Sequence, residues 1–479
     1  TRRRVSWLAF SLLGGFFILA SILADSPAAC ALPNPAANVR AIPMFARKYG
    51  MPCSSCHEAW PKLSPFGQQF KDNGYQMGND RDAPIFQSPA YWPVAFRIVP
   101  NWHLETANHV IVDGADGTPD AALANIKTHG FDFGGLDILT AGTLAKNFSF
   151  LLVPSSDETG AFHFESVNVR LSNLLGSSWL NLKVGKFELD NLLSEKRILA
   201  LSANGGLYQN YHFQPWVAPG TPSGLYVFGL GDNQVGLEWM GHSKNDRTRI
   251  SASLLSGTDG NPAFQSGVGG AAGKAYEGYF AASQAFEVGS LGLQRVGGFA
   301  YVGQASTFPK YTSGGGAPIN GTGIGNEPYY RAGFIGMWYL HKYDLTTMYF
   351  YGHDSAFLGT NTPSNAGSAG LPTGAHAPSW HGALLESHYN VNPQLVLVNR
   401  YELIRMSQQA LSTNPSNTGN TDALTVGFRY YPFVSTRAGF AFHNEYSVVW
   451  QRNIQVSPTT GLPIGLTSSS LMFGFDFAF

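Results

Sequence analysis

The chain has little cysteine and little charge for its length. Only three of its 479 residues are cysteines, and Asp, Glu, Lys and Arg together make up 13%. An ordinary soluble domain carries about 25% charged residues. The scarcity of cysteine excludes a disulfide-rich secreted scaffold, and the net charge of -1 provides no basic surface for a nucleic acid partner.

Long apolar runs are also missing beyond the N-terminus, and the mean hydropathy is close to zero. This excludes an ordinary helical membrane protein. Glycine is frequent, with 55 residues, and aromatic residues make up 13% of the chain. Low charge with abundant Gly, Tyr and Phe is typical of a transmembrane β-barrel, in which apolar and polar residues alternate and cancel in any hydropathy window.

Residues 1–31 differ in character from the rest. Arginines at 2–4 precede an uncharged, largely apolar run at 5–24, and a small-x-small pattern follows at 29–31. We predict a secretory signal peptide over residues 1–31. A transmembrane anchor and a lipoprotein signal with acylated Cys30 are the alternatives. We expect the mature protein to function outside the cytoplasm without structural disulfides.

The other two cysteines belong to the run Cys53-Ser54-Ser55-Cys56-His57. This is the attachment signature of a c-type haem, because two thiols add to the two vinyl groups of one porphyrin and the adjacent histidine reaches the iron. We predict one covalently attached haem c, bound by Cys53 and Cys56, with His57 as the proximal axial ligand. A disulfide or a zinc half-site is less favoured, since a zinc site needs further ligands.

The haem-bearing segment, predicted over residues 32–90, is short. A helix is predicted from Pro43 to Tyr49. A second helix is predicted after Ser64 as N-cap, with Pro65 at its first position, and it should end at Asn73-Gly74. So short a segment cannot enclose a haem alone, so another part of the protein should complete the pocket. The aromatic side chains that could cover the haem faces are Phe45, Trp60, Phe66 and Phe70.

The distal ligand of the haem iron is not fixed by the motif. We predict Met77, because it follows the second helix and lies far enough from Cys56 to fold over the opposite haem face. A methionine ligand would raise the reduction potential relative to a histidine. Met44, Met51 and His103 are the alternatives, and any of these methionines could instead pack in a core.

From about residue 93 the hydrophobic period changes to two. Residues 247–254 and 424–431 alternate between polar and apolar side chains, and so does the C-terminal run 471–479. An apolar, aromatic stripe opposite a small or polar stripe indicates barrel strands. We predict a mainly β fold in which residues 91–479 form a transmembrane antiparallel β-barrel of about sixteen strands, with the small α-helical monohaem segment plugging it. A soluble β-sandwich is the alternative.

The predicted strands are separated by connections that alternate in length. Outer-membrane barrels have short periplasmic turns and long outside loops, so we expect both termini in the periplasm and the long loops at the cell surface. The longest connection, 192–233, is predicted to fold into the lumen, with a solvated lid as the alternative. Strands are predicted to begin near residues 93, 132, 147, 162, 179, 234, 247, 275, 292, 329, 343, 380, 394, 422, 434 and 470. The other long connections are predicted at 106–131, 257–274, 304–328, 354–379, 407–421 and 451–469.

Two stretches, residues 41–63 around the motif and 66–75 in the second helix, give the chain a family resemblance. The chain resembles the fused cytochrome–porin family of outer-membrane iron-oxidising c-type cytochromes, known from acidophilic bacteria. The barrel matches that family only in architecture, length and strand number. The resemblance implies an oxidoreductase that oxidises extracellular Fe(II) one electron at a time. It also implies delivery of the electron to a periplasmic cytochrome c or copper protein.

The residues leave two other functions open. One is outward electron transfer to an extracellular acceptor, and the other is a diffusion porin with a haem plug. The loop 355–377 contains no Asp, Glu, Lys or Arg, which suits a strongly acidic habitat because exposed carboxylates would be protonated there. Asp113, Asp116 and Asp120 could hold a hard cation loosely, although Asp-Gly pairs more often form plain turns.

Overall fold

The N-terminal part of the computed structural model contains two short helices and a small sheet. Helix α1 is Met44–Tyr49, and α2 is Pro65–Asp72. Between them, β1 (His57–Ala59) and β2 (Lys62–Leu63) pair antiparallel. The structure describes residues 44–49, 51–52, 55–59, 62–75, 77, 94–156, 159–190, 233–256, 276–306, 326–354, 377, 379–407, 420–434 and 439–478.

Sixteen further strands, β3 to β18, form one closed antiparallel barrel. Each strand pairs with its neighbours in sequence, and β18 pairs with β3 to close the ring, with Met472 opposite His103. The strands are β3 (Ala95–Val112), β4 (Ala122–Ala145), β5 (Phe148–Ser156), β6 (Phe162–Leu171), β7 (Asn181–Glu188), β8 (Asn233–His242), β9 (Thr248–Ser256), β10 (Tyr276–Glu287), β11 (Leu293–Ser306), β12 (Asn326–Leu340), β13 (Tyr343–Asp354), β14 (Ser379–Asn392), β15 (Leu395–Met406), β16 (Asn420–Val434), β17 (Gly439–Val456) and β18 (Pro463–Ala478).

The predicted fold class is confirmed, and every predicted strand has a counterpart in the barrel. Two strands begin well before their predicted starts near residues 132 and 470: β4 begins at Ala122 and β18 at Pro463. The predicted long connections 106–131 and 451–469 are therefore wrong in extent. The added residues, 122–131 and 463–469, do not alternate strictly between apolar and polar side chains, and backbone pairing with β3 and β17 forms the strands there.

The predicted inward fold of residues 192–233 concerns a connection that lies almost entirely outside the described residues.

Alternate side chains along each strand face opposite environments, as the period of two predicts. On β9, Ser251 and Ser253 are buried whereas Leu254 is 52% exposed. On β18, Asp476 is buried and Phe473 is 49% exposed. The buried polar face lines the lumen, and the exposed apolar face is the one that lipid would cover. Among the helices that the structure describes, none is long and apolar enough to span a membrane.

The lumen face contains buried charges that are paired with one another. Arg331 Nη1 lies 2.6 Å from Asp354 Oδ1. Arg400 Nε lies 2.9 Å from Glu402 Oε2, and Arg400 Nη1 lies 3.5 Å from Glu386 Oε2. Charges withdrawn from water are costly unless opposite charges and hydrogen bonds compensate them. Such pairs make the lumen wall polar yet tightly connected.

The wall is not of uniform height. The described pairing of β4 with β5 starts at Asp137 opposite Ser155, whereas β4 pairs with β3 from Ala122 opposite Val112. The first half of β4 therefore pairs with β3 alone, and beyond Asn108, where the pairing of β3 with β18 ends, β3 and β4 form a two-stranded ribbon. Leu123, on this ribbon, is 36% exposed. The ribbon extends past the end of β5.

We predict that Phe334→Arg destabilises the barrel by about 2–4 kcal/mol, the cost of an arginine on the lipid face near the bilayer midplane. Phe334 lies at the middle of β12 and is 73% exposed. Leu123→Arg on the ribbon is the control and should cost about 0–1 kcal/mol. Urea unfolding in lipid vesicles measures both, and equal costs would contradict the assignment of the lipid-facing band.

Candidate haem attachment site

Helix α2 forms where its sequence predicts it. The backbone N–H of Gly67 donates a hydrogen bond to the Ser64 Oγ at 3.1 Å, so Ser64 is the N-cap. Pro65 occupies the first turn, where its missing N–H is not needed. The helix ends at Asn73, and the positive φ of Gly74 (74°) and Tyr75 (63°) turns the chain away. The predicted boundaries of this helix are confirmed.

The attachment motif is fixed to the start of α2 by hydrogen bonds. The backbone N–H of Ser64 donates to the Cys56 carbonyl oxygen at 2.8 Å. The Ser64 hydroxyl donates to the Ser55 carbonyl oxygen at 3.2 Å, and the Ser55 N–H closes a turn on the Pro52 carbonyl at 3.0 Å. The helix cap therefore also orders the backbone of the motif.

Gly67 lets α2 approach the motif more closely than any other residue would. A Cβ built on Gly67 would lie 2.0 Å from the Cys56 carbonyl oxygen and 2.8 Å from its carbonyl carbon. Both are backbone atoms, which cannot rotate out of the way. Glycine inside a helix costs up to about 1 kcal/mol relative to alanine, so its presence here is explained by this contact.

Cys56 and His57 have the donor chemistry that a c-type haem needs. Both are half-buried, and Cys56 is a free thiol. Burial raises the pKa of the Cys56 thiol above its ordinary value. His57 opens β1, where it lies opposite Leu63. The residues therefore fit a haem c, while Cys53 lies outside the described residues.

Aromatic rings form the core of the N-terminal segment. Phe45 of α1 meets Phe70 of α2 edge-on at 5.0 Å between ring centroids and stacks on Tyr75 at 5.1 Å. Tyr49 meets Phe70 edge-on at 5.6 Å. These contacts join the two helices. Phe66, in the first turn of α2, is 37% exposed.

Met77 lies beyond the left-handed turn at the C-terminal end of α2 and is half-buried. Cys56 contacts the N-terminal end of the same helix. Eight helical residues span about 12 Å, so Met77 can serve as distal ligand only if the chain after Gly74 folds back along the helix. His103, on β3, has its Nδ1 3.2 Å from the Asn101 Oδ1. Met77 stays a prediction.

The C-terminal end of α2 is bonded to the lumen wall. The Lys71 Nζ lies 2.9 Å from the Glu188 Oε2, and the Glu188 side chain is only 5% exposed. The Arg170 Nη1 donates to the Lys71 carbonyl oxygen at 3.0 Å. Arg170 belongs to the buried face of β6. The motif-bearing helix therefore contacts the inside of the barrel, and a cleft lined by both polar and apolar side chains lies beside this contact, between α2 and strands β5 to β8.

Sequence reasoning missed the residues that hold the segment in place. A glycine within a predicted helix is a recognised signal of close packing, so Gly67 could have been found. Lys71 is separated by 117 positions from Glu188 and by 99 positions from Arg170, so no local pattern connects them. Only the barrel register brings them together.

The acidic loop between β3 and β4 folds on itself. Asp113 Oδ1 accepts from the Asp120 N–H at 3.1 Å, and Asp116 Oδ1 accepts from the Thr118 N–H at 3.1 Å. The Thr118 hydrogen bonds lower the pKa of the Asp116 carboxyl below its ordinary value. These carboxylates stabilise a turn. In the parts of the chain that the structure describes, no group of three or more His, Cys, Asp or Glu side chains could hold a metal ion.

No protein-family model matches the chain, and no curated protein matches it either. Among solved structures it is similar to the anion-selective porin from Comamonas acidovorans, with 12% identity over 81% of this chain and 99% of that chain and a TM-score of 0.46. It is also similar to the outer membrane channel DcaP of Acinetobacter baumannii, with 10% identity, coverage of 80% and 97%, and a TM-score of 0.44. A third similar structure is that of Pseudomonas putida OprB, with 9% identity over 80% of this chain and 94% of that chain and a TM-score of 0.44. These similarities concern the barrel fold alone.

We predict that Gly67→Ala lowers the yield of covalently attached haem severalfold, because the new methyl group collides with the Cys56 backbone. Alanine favours a helix by up to about 1 kcal/mol over glycine, so a loss cannot arise from helix propensity. Gln69→Ala, at an exposed position of α2, is the matched control. Haem staining of denatured protein, normalised to chain, measures the yield. Equal staining of the two variants would contradict the close contact.

We predict that Lys71→Glu releases α2 from the barrel wall, because it places two carboxylates side by side at a buried position. The N-terminal segment should then be cut at least several times faster by a protease added to the folded protein. Combining Lys71→Glu with Glu188→Lys should restore part of the protection. Cleavage that is as slow in Lys71→Glu as in the parent would show that this ion pair does not hold the segment.

Proposed function

We propose that this chain is an electron-transfer protein of the bacterial outer membrane that oxidises extracellular Fe(II) through one haem c. The observation that carries the proposal is the contact between a haem-attachment motif and a barrel wall. Cys56 and His57 are fixed to α2, and α2 is bonded to the lumen face through Lys71. A porin needs no haem and a periplasmic cytochrome needs no barrel, but their combination suits the passage of electrons across a membrane.

The position of the motif matters because of distance. The apolar band of such barrels is about 25 Å tall. A redox group hanging below the barrel would be too far from a donor outside the cell. A redox group held against β6 and β7 within the lumen would be accessible from both ends of the barrel. The contacts of Lys71 with Glu188 and Arg170 support this second arrangement.

The chain would hold the haem by Cys53 and Cys56 through thioethers and by His57 as proximal ligand, with Met77 as the proposed distal ligand. When bound, haem c supplies a one-electron redox centre. The chain's own contribution is placement. The Ser64 cap orders the motif backbone, and the bonds of Lys71 keep the helix on the lumen wall.

The substrate side needs weak contacts. Each Fe(II) gives up one electron and must leave as Fe(III), so a tight cage of histidine and cysteine would trap the product. The Asp113, Asp116 and Asp120 carboxylates bond within their own turn or lie beside it, which supports an iron that reacts near the lumen mouth without a dedicated site. The electron would pass to a periplasmic cytochrome c or copper protein.

The proposed orientation places both termini in the periplasm and the long connections at the cell surface. Connections such as 146–147 and 341–342 are short and alternate with long ones such as 355–378. Periplasmic turns are the short ones in outer-membrane barrels. Since β3 begins just after the haem-bearing segment, that segment would enter the lumen from the periplasmic end.

A haem-plugged diffusion porin is the second candidate, and the polar lumen of the closed barrel favours it. The two functions differ in what crosses the membrane. A plugged electron conduit should show little ion conductance in planar bilayers, whereas a porin should conduct. Outward electron transfer and Fe(II) oxidation move the electron in opposite directions. A low reduction potential of the haem would therefore favour outward electron transfer over Fe(II) oxidation.

We predict that the purified haem-loaded protein is reduced by Fe(II) at acidic pH, and that His57→Ala loses this reduction almost completely. The triple variant Asp113→Asn, Asp116→Asn, Asp120→Asn is the matched control and should keep most of the rate. Stopped-flow absorbance of the haem after mixing with Fe(II) measures both. If the triple variant fell as far as His57→Ala, a dedicated iron site would exist in the loop. If the parent were not reduced by Fe(II), the proposed donor would be wrong.

A further inference from the structure

We propose that the lumen wall contains an oxyanion-binding cradle formed by Arg429, His443 and Gly474. The three residues lie side by side on neighbouring strands. Arg429 of β16 is directly opposite His443 of β17, and His443 is directly opposite Gly474 of β18. All three belong to the buried, lumen-facing side of their strands.

The side chains of the cradle have no hydrogen-bond partner. Arg429 is 1% exposed, and its Nε, Nη1 and Nη2 are all without an acceptor. His443 is also 1% exposed, and neither of its ring nitrogens is hydrogen-bonded. A buried guanidinium is costly when its donors are unsatisfied. A ligand with acceptor atoms would satisfy the donors of these two neighbouring side chains.

The neighbouring acids are engaged elsewhere. Asp476 accepts two hydrogen bonds from the Arg97 guanidinium, at 3.1 Å from Nε and 3.0 Å from Nη2. Asp137 accepts from Arg97 Nη1 at 3.1 Å. Glu445, two residues beyond His443 on the same face, accepts from the Ser447 hydroxyl at 3.4 Å. None of these carboxylates hydrogen-bonds Arg429.

The shape and chemistry of the cradle select an oxyanion. The planar guanidinium presents N–H groups in a fork that matches two oxygens of a carboxylate or phosphate, and the imidazole can add one donor. Gly474 lets the imidazole pack closely against the backbone of β18, since a Cβ there would lie 2.8 Å from the His443 Nε2. A ligand that accepts from the His443 ring would lie beside Arg429, the residue directly opposite His443 on β16.

Two sources could supply this oxyanion. The cradle lies near the C-terminal ends of β16 and β18. At the same end of the barrel, β3 begins at Ala95. The haem-bearing segment joins the barrel at that end, so a haem propionate is one source, and this source rests on the proposed function. A free inorganic oxyanion such as phosphate is the other, and it does not depend on the haem.

Titration calorimetry with inorganic phosphate separates the two sources. The full-length protein is compared in its haem-loaded form and as the haem-free variant Cys53→Ala/Cys56→Ala, both in detergent. A free oxyanion site should bind phosphate in both forms, whereas a propionate in the cradle should block phosphate in the haem-loaded form alone. In each form that binds phosphate, Arg429→Gln should weaken the binding at least tenfold.

The control and a steric variant separate the cradle from a general effect of charge. Arg247→Gln removes the same charge from an exposed position, where Arg247 pairs with Glu287 at 2.9 Å, and it should bind phosphate like its parent. Gly474→Ala keeps every charge but displaces His443, and it should weaken binding at least severalfold. Each variant is checked for the folded barrel by its heat-modified migration on a gel.

The reduction potential gives a second readout that needs no phosphate. If a propionate occupies the cradle, Arg429→Gln should lower the haem potential relative to Arg247→Gln, because a nearby positive charge favours the reduced form. The proposal is overturned if no phosphate binding depends on Arg429 and the potential of Arg429→Gln equals that of the control. A failure of Fe(II) to reduce the haem would contradict the proposed function and leave the phosphate result unaffected.

Discussion

The pairing of β18 with β3 is the contact on which the rest of the molecule depends. In a hydrocarbon layer no water is available to hydrogen-bond an unpaired strand edge, so a sheet can cross a membrane only as a closed ring. The seam runs from Thr467 opposite Asn108 to Ala478 opposite Arg97. Closure makes every strand an interior strand along the apolar band. It also divides the protein into an outside that faces lipid and an enclosed lumen.

That division explains the distribution of charge. Residues on the lumen face are withdrawn from both lipid and bulk water, so ionised groups such as Arg331 and Arg400 are found with carboxylate partners. The same polar wall can hold another part of the chain. Glu188 and Arg170 use this capacity when they bond the C-terminal end of α2. The haem-attachment motif and the barrel are thereby connected by electrostatics, although their sequences are unrelated in character.

Much of the fold could be predicted because its signals are local. Strand alternation is visible within eight or nine residues, as in 247–254, and the attachment motif is contained in Cys53 to His57. The starts of β4 and β18 were missed because the residues there do not alternate strictly between apolar and polar side chains. The contact of Lys71 with Glu188 depends on the register of many strands, and whether Met77 can act as the proposed distal ligand depends on how the chain folds after Gly74. Neither is encoded in a short pattern.

The seam also imposes an order of assembly. The segment proposed to bear haem precedes β3 in the chain, and β3 forms its second pairing with β18, the most C-terminal strand of the ring. Neighbouring strands lie about 4.8 Å apart, a gap far narrower than a porphyrin. A bulky group attached to the segment cannot cross the finished wall, so it must be in place before the seam forms or enter through an open end of the barrel. The proposed attachment of haem to the segment and the closure of the barrel would therefore be linked events in the biogenesis of this protein.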